Sequence, residues 1–130
     1  MKTGIRGNES VLVEEKNTAK TMGSGTLKVF STPAMIALIE YTAWTSVEKE
    51  LEEGCGTVGT RLEVSHEAPT PLGMRVTCES ELVEIDGRRL VFHVKVYDEQ
   101  GLVGQGVHER VIVNNGKFQK KADEKSNTCV

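Results

Sequence analysis

Glu40 is the single charge in the stretch from Val29 to Val47. A carboxylate in an apolar helix is costly unless it is paired or hydrogen-bonded, and burial would raise its pKa. Acids held in this way recur at sites of proton transfer or nucleophilic attack. A structural glutamate, bonded to a hydroxyl or lying at a subunit seam, gives the same pattern. His66, with Glu67 beside it, ends a strand-like run just before Pro69 and Pro71. Strand neighbours point to opposite faces, so only one of the two can face the interior. His93 and His108 lie in similar runs and have no better claim from spacing. Thr32 precedes Glu40 by about 12 Å along a helix at ~1.5 Å per residue, too far for their side chains to meet. A site that uses both must follow a groove or draw copies from two subunits.

These residues need elements to hold them. Ser31 or Thr32 supplies a hydroxyl cap and Pro33 a first helical position, so a helix starts there. Ala34 to Ile39 are apolar on every face, which predicts burial all round. From Ser46 the sequence turns amphipathic and acidic through Glu53, and Gly54 and Gly56 stop it. The rest reads as strands: Ser10–Lys16 before the helix, then Thr57–Ala68, Met74–Ile85, Arg88–Tyr97 and Leu102–Val113. Asp86-Gly87 is a hairpin turn, Asp98–Gly101 makes the next, and Asn114-Asn115-Gly116 closes the last strand. Consecutive strands joined by such turns are antiparallel, so the expected class is α+β, with a sheet curled around one long helix. Residues 117–130 read as a polar, frayed tail.

The chain has 130 residues, 38% hydrophobic and 27% charged, the arithmetic of one domain over 1–130. A net charge of −3 with 5% aromatics leaves no electrostatic footprint or stacking platform for nucleic acid. The stretch 29–47 carries too many hydroxyls, a proline and a glutamate to read as a membrane span. Cys55, Cys78 and Cys129 have no zinc-ligand spacing, so no metal is expected. The first ten residues show no apolar leader segment, and reduced thiols in the cytoplasm are the expected state. Gly54–Gly59 and Gly104–Gly106 lack the strand-then-helix context of a phosphate loop; they read as turns or as places of close backbone approach to a ligand. No GxSxG elbow is present, which excludes the α/β-hydrolase route to ester or thioester cleavage.

Taken together, Val29-Phe30-Ser31-Thr32-Pro33-Ala34-Met35 with Glu40, Gly59-Thr60, Val64-Ser65-His66, Pro71-Leu72-Gly73, Gly87-Arg88-Arg89-Leu90 and Gly104-Gln105-Gly106-Val107-His108-Glu109-Arg110 resemble the hotdog-fold thioesterases, in particular the fluoroacetyl-CoA thioesterase branch. The likeness covers residues 29–118. It implies a hotdog fold and hydrolysis of a small acyl-CoA by a Thr32, Glu40 and His66 set. Glu40 would attack the carbonyl or activate a water, and His66 would act as general acid and base. Thr32 would donate a hydrogen bond to the glutamate or the acyl group. Gly59 would offer its backbone N–H to the thioester oxygen, and Arg110 would orient the carboxylate. The resemblance also implies a homodimer or dimer of dimers with the site at the interface, and no cofactor beyond the CoA of the substrate. Residues 18–27 lack the phenylalanine-bearing lid of the branch, so another small acyl group is expected in place of a fluorinated one. A non-catalytic acyl-CoA-binding or regulatory domain, and a hydratase of the same fold, are the competing readings.

Overall fold

The computed structural model describes residues 1–126. Five strands form one antiparallel sheet in the order β1-β3-β4-β5-β2: β1 Arg6–Leu12, β2 Cys55–His66, β3 Arg75–Asp86, β4 Arg89–Asp98 and β5 Gly101–Asn114. Helix α2, Thr32–Val47, lies against it, and a short α1, Ala19–Met22, precedes it. The α+β arrangement follows the sequence reading. The hairpins fall where Asp86-Gly87 and Asp98–Gly101 place them, with Gly87 in the left-handed region (φ 61°) that a tight turn requires. The first strand, however, is Arg6–Leu12 and not Ser10–Lys16. Glu14 to Asn17 instead close a reciprocal side-chain cap that turns the chain into a 3₁₀ turn at Glu15–Asn17.

Inward-facing Val76, Cys78, Leu82, Leu90, Phe92, Val94 and Val96 meet Met35, Leu38, Ile39, Ala43 and Val47 of α2, all buried. Alternation along β3 and β4 puts every second side chain on this face. Cys78 lies under the helix, where burial pushes its thiol up to about 11. Gly104 and Gly106 sit inside β5 and not in a turn. A Cβ at Gly104 would stand 2.7 Å from Met35 Sδ and from the Ser65 carbonyl, so the close approach is to β2 and the helix.

Three further features depart from the sequence reading. Helix α2 is not buried all round, because the sheet covers only one of its sides. Pro33, Ala37 and Tyr41 are exposed, and Ile36, Glu40 and Trp44 are half-buried along the same open face. The α-helix ends at Val47 and gives way to a 3₁₀ turn at Glu48–Glu50. The expected polar tail begins as helix α3, Asn115–Asp123, capped by the Asn114 side chain on Lys117 N–H. The last four residues, with Cys129, lie outside the described residues. No described helix is long and apolar enough to cross a membrane.

In the β2–β5 ladder the register steps from Gly59↔Arg110 to Arg61↔Glu109, leaving Thr60 as an extra residue. This is a β-bulge. The Thr60 hydroxyl bonds the Glu109 carbonyl at 3.2 Å. Strand β2 is at one margin of the sheet, with its outer edge unpaired in the protomer.

Candidate active site

The hydroxyls at the start of α2 divide their work. Ser31 is the cap, its Oγ accepting from Ala34 N–H at 3.1 Å, while Thr32 is the first helical residue and Pro33 the second. Thr32 is thereby free of the capping role, and its Oγ1 shares a 2.7 Å hydrogen bond with His66 Nδ1. His66 ends β2 on the helix-facing side. Glu67 points the other way and accepts from Ser65 Oγ and Gln105 Nε2. Burial lowers the His66 pKa, which favours the neutral ring. Its Nε2 is closed off from solvent and has no hydrogen-bond partner among the described residues. A buried ring nitrogen without a partner is uncommon unless a ligand or reaction uses it.

A cavity of about 270 Å³ adjoins this pair, lined by Thr32, His66, Val29, Phe30, Ala19 and Ser24 among others. Ala19 and Ser24 come from the segment over the cavity. That segment folds as α1 with Gly23 in the left-handed region (φ 73°), and is tied down by Ala19 N–H to the Val29 carbonyl (2.9 Å). Ser31 Oγ also donates to Met22 Sδ at 3.0 Å.

Two turns further along α2, Glu40 forms a second cluster. Its side chain is 38% exposed and its Oε2 accepts from Arg110 Nη1 at 3.2 Å. Glu40 is thus not the acid sealed in an apolar interior that its neighbours in sequence suggest: it lies where the packed face of α2 gives way to the open one. The buried charge is Arg110, which only 5% exposure separates from full enclosure. Burial lowers the Arg110 pKa, and the Glu40 carboxylate opposes that shift. Gly59 stands against this carboxylate. A Cβ there would run into Glu40 Oε2 and would come within 3.2 Å of His108 Cε1 and 3.3 Å of Arg110 Nη1.

The five residues singled out from sequence therefore fall into two groups within one protomer, Thr32 with His66 and Glu40 with Gly59 and Arg110. Thr32 and Glu40 make no hydrogen bond to each other, as their helical separation requires. Two further members were not singled out from sequence. Thr57 accepts from Arg110 Nε at 2.8 Å, and His108 Nε2 lies 3.0 Å from Arg110 Nη1. The signal for His108 was period-two alternation: with Arg110 facing inward, His108 must share that face.

Comparison with known proteins decides the family. The model of the fluoroacetyl-CoA-specific thioesterases matches residues 13–116. The chain belongs to the fluoroacetyl-CoA-specific thioesterase family. The fluoroacetyl-CoA thioesterase of Streptantibioticus cattleyicolor is 37% identical over 99 residues, which is 76% of this chain and 71% of that protein. A solved fluoroacetyl-CoA thioesterase structure superposes with a TM-score of 0.91 at 32% identity, covering 96% of this chain and 97% of the other. A Thermus thermophilus member of the thioesterase superfamily gives 0.88 at 26% identity, covering 96% and 93%. A hot-dog-like protein from Thermanaerovibrio acidaminovorans gives 0.85 at 31%, covering 95% and 91%. The antiparallel sheet with its long helix is the hotdog fold, and this family member is an acyl-CoA thioester hydrolase.

Proposed function

We propose that the protein hydrolyses short acyl-CoA thioesters with Glu40, His66 and Thr32, at sites completed by a second copy of the chain. The observation that carries this reading is the division of polar groups into two clusters, one at the start of helix α2 and one two turns along it. A symmetric partner joined along the free edge of β2 would run antiparallel to it, bringing the His66 end of one strand toward the Gly59 end of the other. The open face of α2, with Tyr41 and Trp44 in edge-to-face contact (5.5 Å), offers apolar surface for the same association. A dimer of dimers is a further step that the same fold allows.

In this reading the acyl group enters the 270 Å³ cavity beside Thr32 and His66. Small Ala19 and Ser24 take the place of an aromatic lid, so recognition rests on size more than on fluorine. Glu40 delivers the attack on the thioester carbonyl, either through a water that it deprotonates or directly, in which case water then cleaves the acyl–Glu40 anhydride and frees the acid. Arg110 holds Oε2, and Oε1 accepts from no protein group among the described residues, so Oε1 is the oxygen that reacts. The Gly59 N–H is the donor for the developing oxyanion. As the C–S bond breaks, the imidazole, held at Nδ1 by Thr32, passes a proton from Nε2 to the CoA thiolate and regains one from the attacking water, directly or by way of Glu40, so that the ring ends the cycle neutral. The only cofactor involved is the CoA that the substrate carries, and the site of action is the cytoplasm.

The test is release of free thiol from acetyl-, propionyl-, fluoroacetyl- and longer acyl-CoAs. Short chains should turn over, and Glu40→Gln should lower kcat by about a hundredfold or more. Equal rates for wild type and Glu40→Gln would overturn the assignment.

A further inference from the structure

Arg110 is the one buried arginine or lysine among the described residues, and its guanidinium is fastened on several sides. Nε donates to Thr57 Oγ1 (2.8 Å) and Nη2 to the Thr57 carbonyl (2.9 Å). Nη1 divides its two hydrogens between Glu40 Oε2 (3.2 Å) and His108 Nε2 (3.0 Å). A guanidinium has donors only, so His108 Nε2 must be the bare, accepting nitrogen. The ring proton then sits on Nδ1 and is donated to the Arg61 carbonyl at 2.9 Å. Both nitrogens are committed, Phe92 stacks on the ring at 6.4 Å between centroids, and a second proton would displace Arg110. Burial favours the same neutral state.

We propose that His108 is a positioning residue for thioester hydrolysis: a neutral acceptor that, with Thr57, holds Arg110 so that it engages one oxygen of Glu40 and not both. An unrestrained guanidinium meets a carboxylate as a two-pronged fork. Here the contact to Glu40 is single and the longest of the four that Arg110 makes. The other three turn the guanidinium side-on, and that leaves Glu40 Oε1 for the substrate. Arg61, whose carbonyl receives the His108 proton, is the first paired residue after the β2 bulge, so the bulge sets the height of the ring.

The inference rests on Glu40 being the reacting carboxylate, and the experiment separates the two claims. Steady-state kinetics on acetyl-CoA are measured for His108→Leu, His108→Gln and Glu40→Gln, and for His108→Leu combined with Arg110→Met. His108→Leu should lower kcat by about tenfold or more with KM within about twofold. His108→Gln, whose amide oxygen can accept where Nε2 stands, should recover kcat to within about threefold of wild type. In the Arg110→Met background, His108→Leu should have less than about twofold further effect, since the group it positions is gone. Should His108→Leu fail to fold, Thr57→Val provides the same comparison with and without Arg110→Met. Additive losses, or a folded His108→Gln as impaired as the leucine variant, would overturn the positioning role. Wild-type rates in Glu40→Gln would instead remove the catalytic reading beneath it.

Discussion

Thr32 Oγ1 and His66 Nδ1, from residues 34 apart in sequence, meet at 2.7 Å because Ser31 has taken over the capping of helix α2. The two neighbouring hydroxyls therefore answer to different assays. Ser31→Ala removes the cap and should cost about 1 kcal/mol of stability, lowering the melting temperature by several degrees. Thr32→Ala should leave the melting temperature nearly unchanged and reduce kcat by about tenfold or more, while Thr32→Ser retains most of it. Thermal melts alongside kinetics check the split. A Thr32→Ala variant that loses stability and keeps its rate would reverse the two roles.

Gly59→Ala makes a sharper test of the Glu40 cluster. The added methyl must displace Glu40 Oε2, and it presses on His108 Cε1 and Arg110 Nη1. Gly59 is not among the glycines with positive φ, so no backbone strain confuses the result. The expected outcome is a folded protein with kcat reduced by about tenfold or more. Unaltered turnover would show that the carboxylate can shift without consequence.

Both His66 and His108 have pKa values lowered below the ordinary 6.5 by burial. Just below pH 6.5 the unfolded chain takes up protons on these rings and the folded chain does not. Stability is then full above about 6.5 and declines as pH falls from there through the lower folded-state values. Melting temperatures at pH 7.5 and 5.5 should differ, the acid value being lower; equality would contradict the lowered values. Turnover that needs neutral His66 should show an acid limb with its midpoint below 6.5.

The open face of α2 predicts association. Light scattering should give a mass of at least two chains, and Tyr41→Asp should shift it toward one chain as concentration falls. Loss of activity should accompany that shift, because Glu40 shares the face. A fully active single chain would rule out a site shared between subunits.

The fold was readable where physics is local. Asp86-Gly87 and Asp98–Gly101 can only turn, and Val-rich alternation can only be a sheet with one wet face. The helix start was legible from Ser31 to Pro33, but which hydroxyl caps depends on where His66 arrives, a tertiary fact. The exposure of Glu40 is not legible in sequence for the same reason: apolar neighbours along the chain do not reveal that a five-stranded sheet covers only one side of the helix. His108 has no special claim from spacing because its partner in space is two residues away on the same strand, a pairing that matters only once Arg110 is known to face inward. The short α1 has too few residues to show periodicity, and its local marks are the Thr18 cap and Gly23 in the left-handed region.

The extra residue at Thr60 has a consequence for how this strand can change. Gly59 and His66 are an odd number of positions apart, and in an unbroken strand they would face opposite ways. They share the helix side only because one residue is left out of the ladder between them. Strand β2 therefore behaves as a parity lock: removing Thr60 would keep both Gly59 and His66 and rotate one of the two out to the solvent. Deletions in pairs are the ones that strand could absorb.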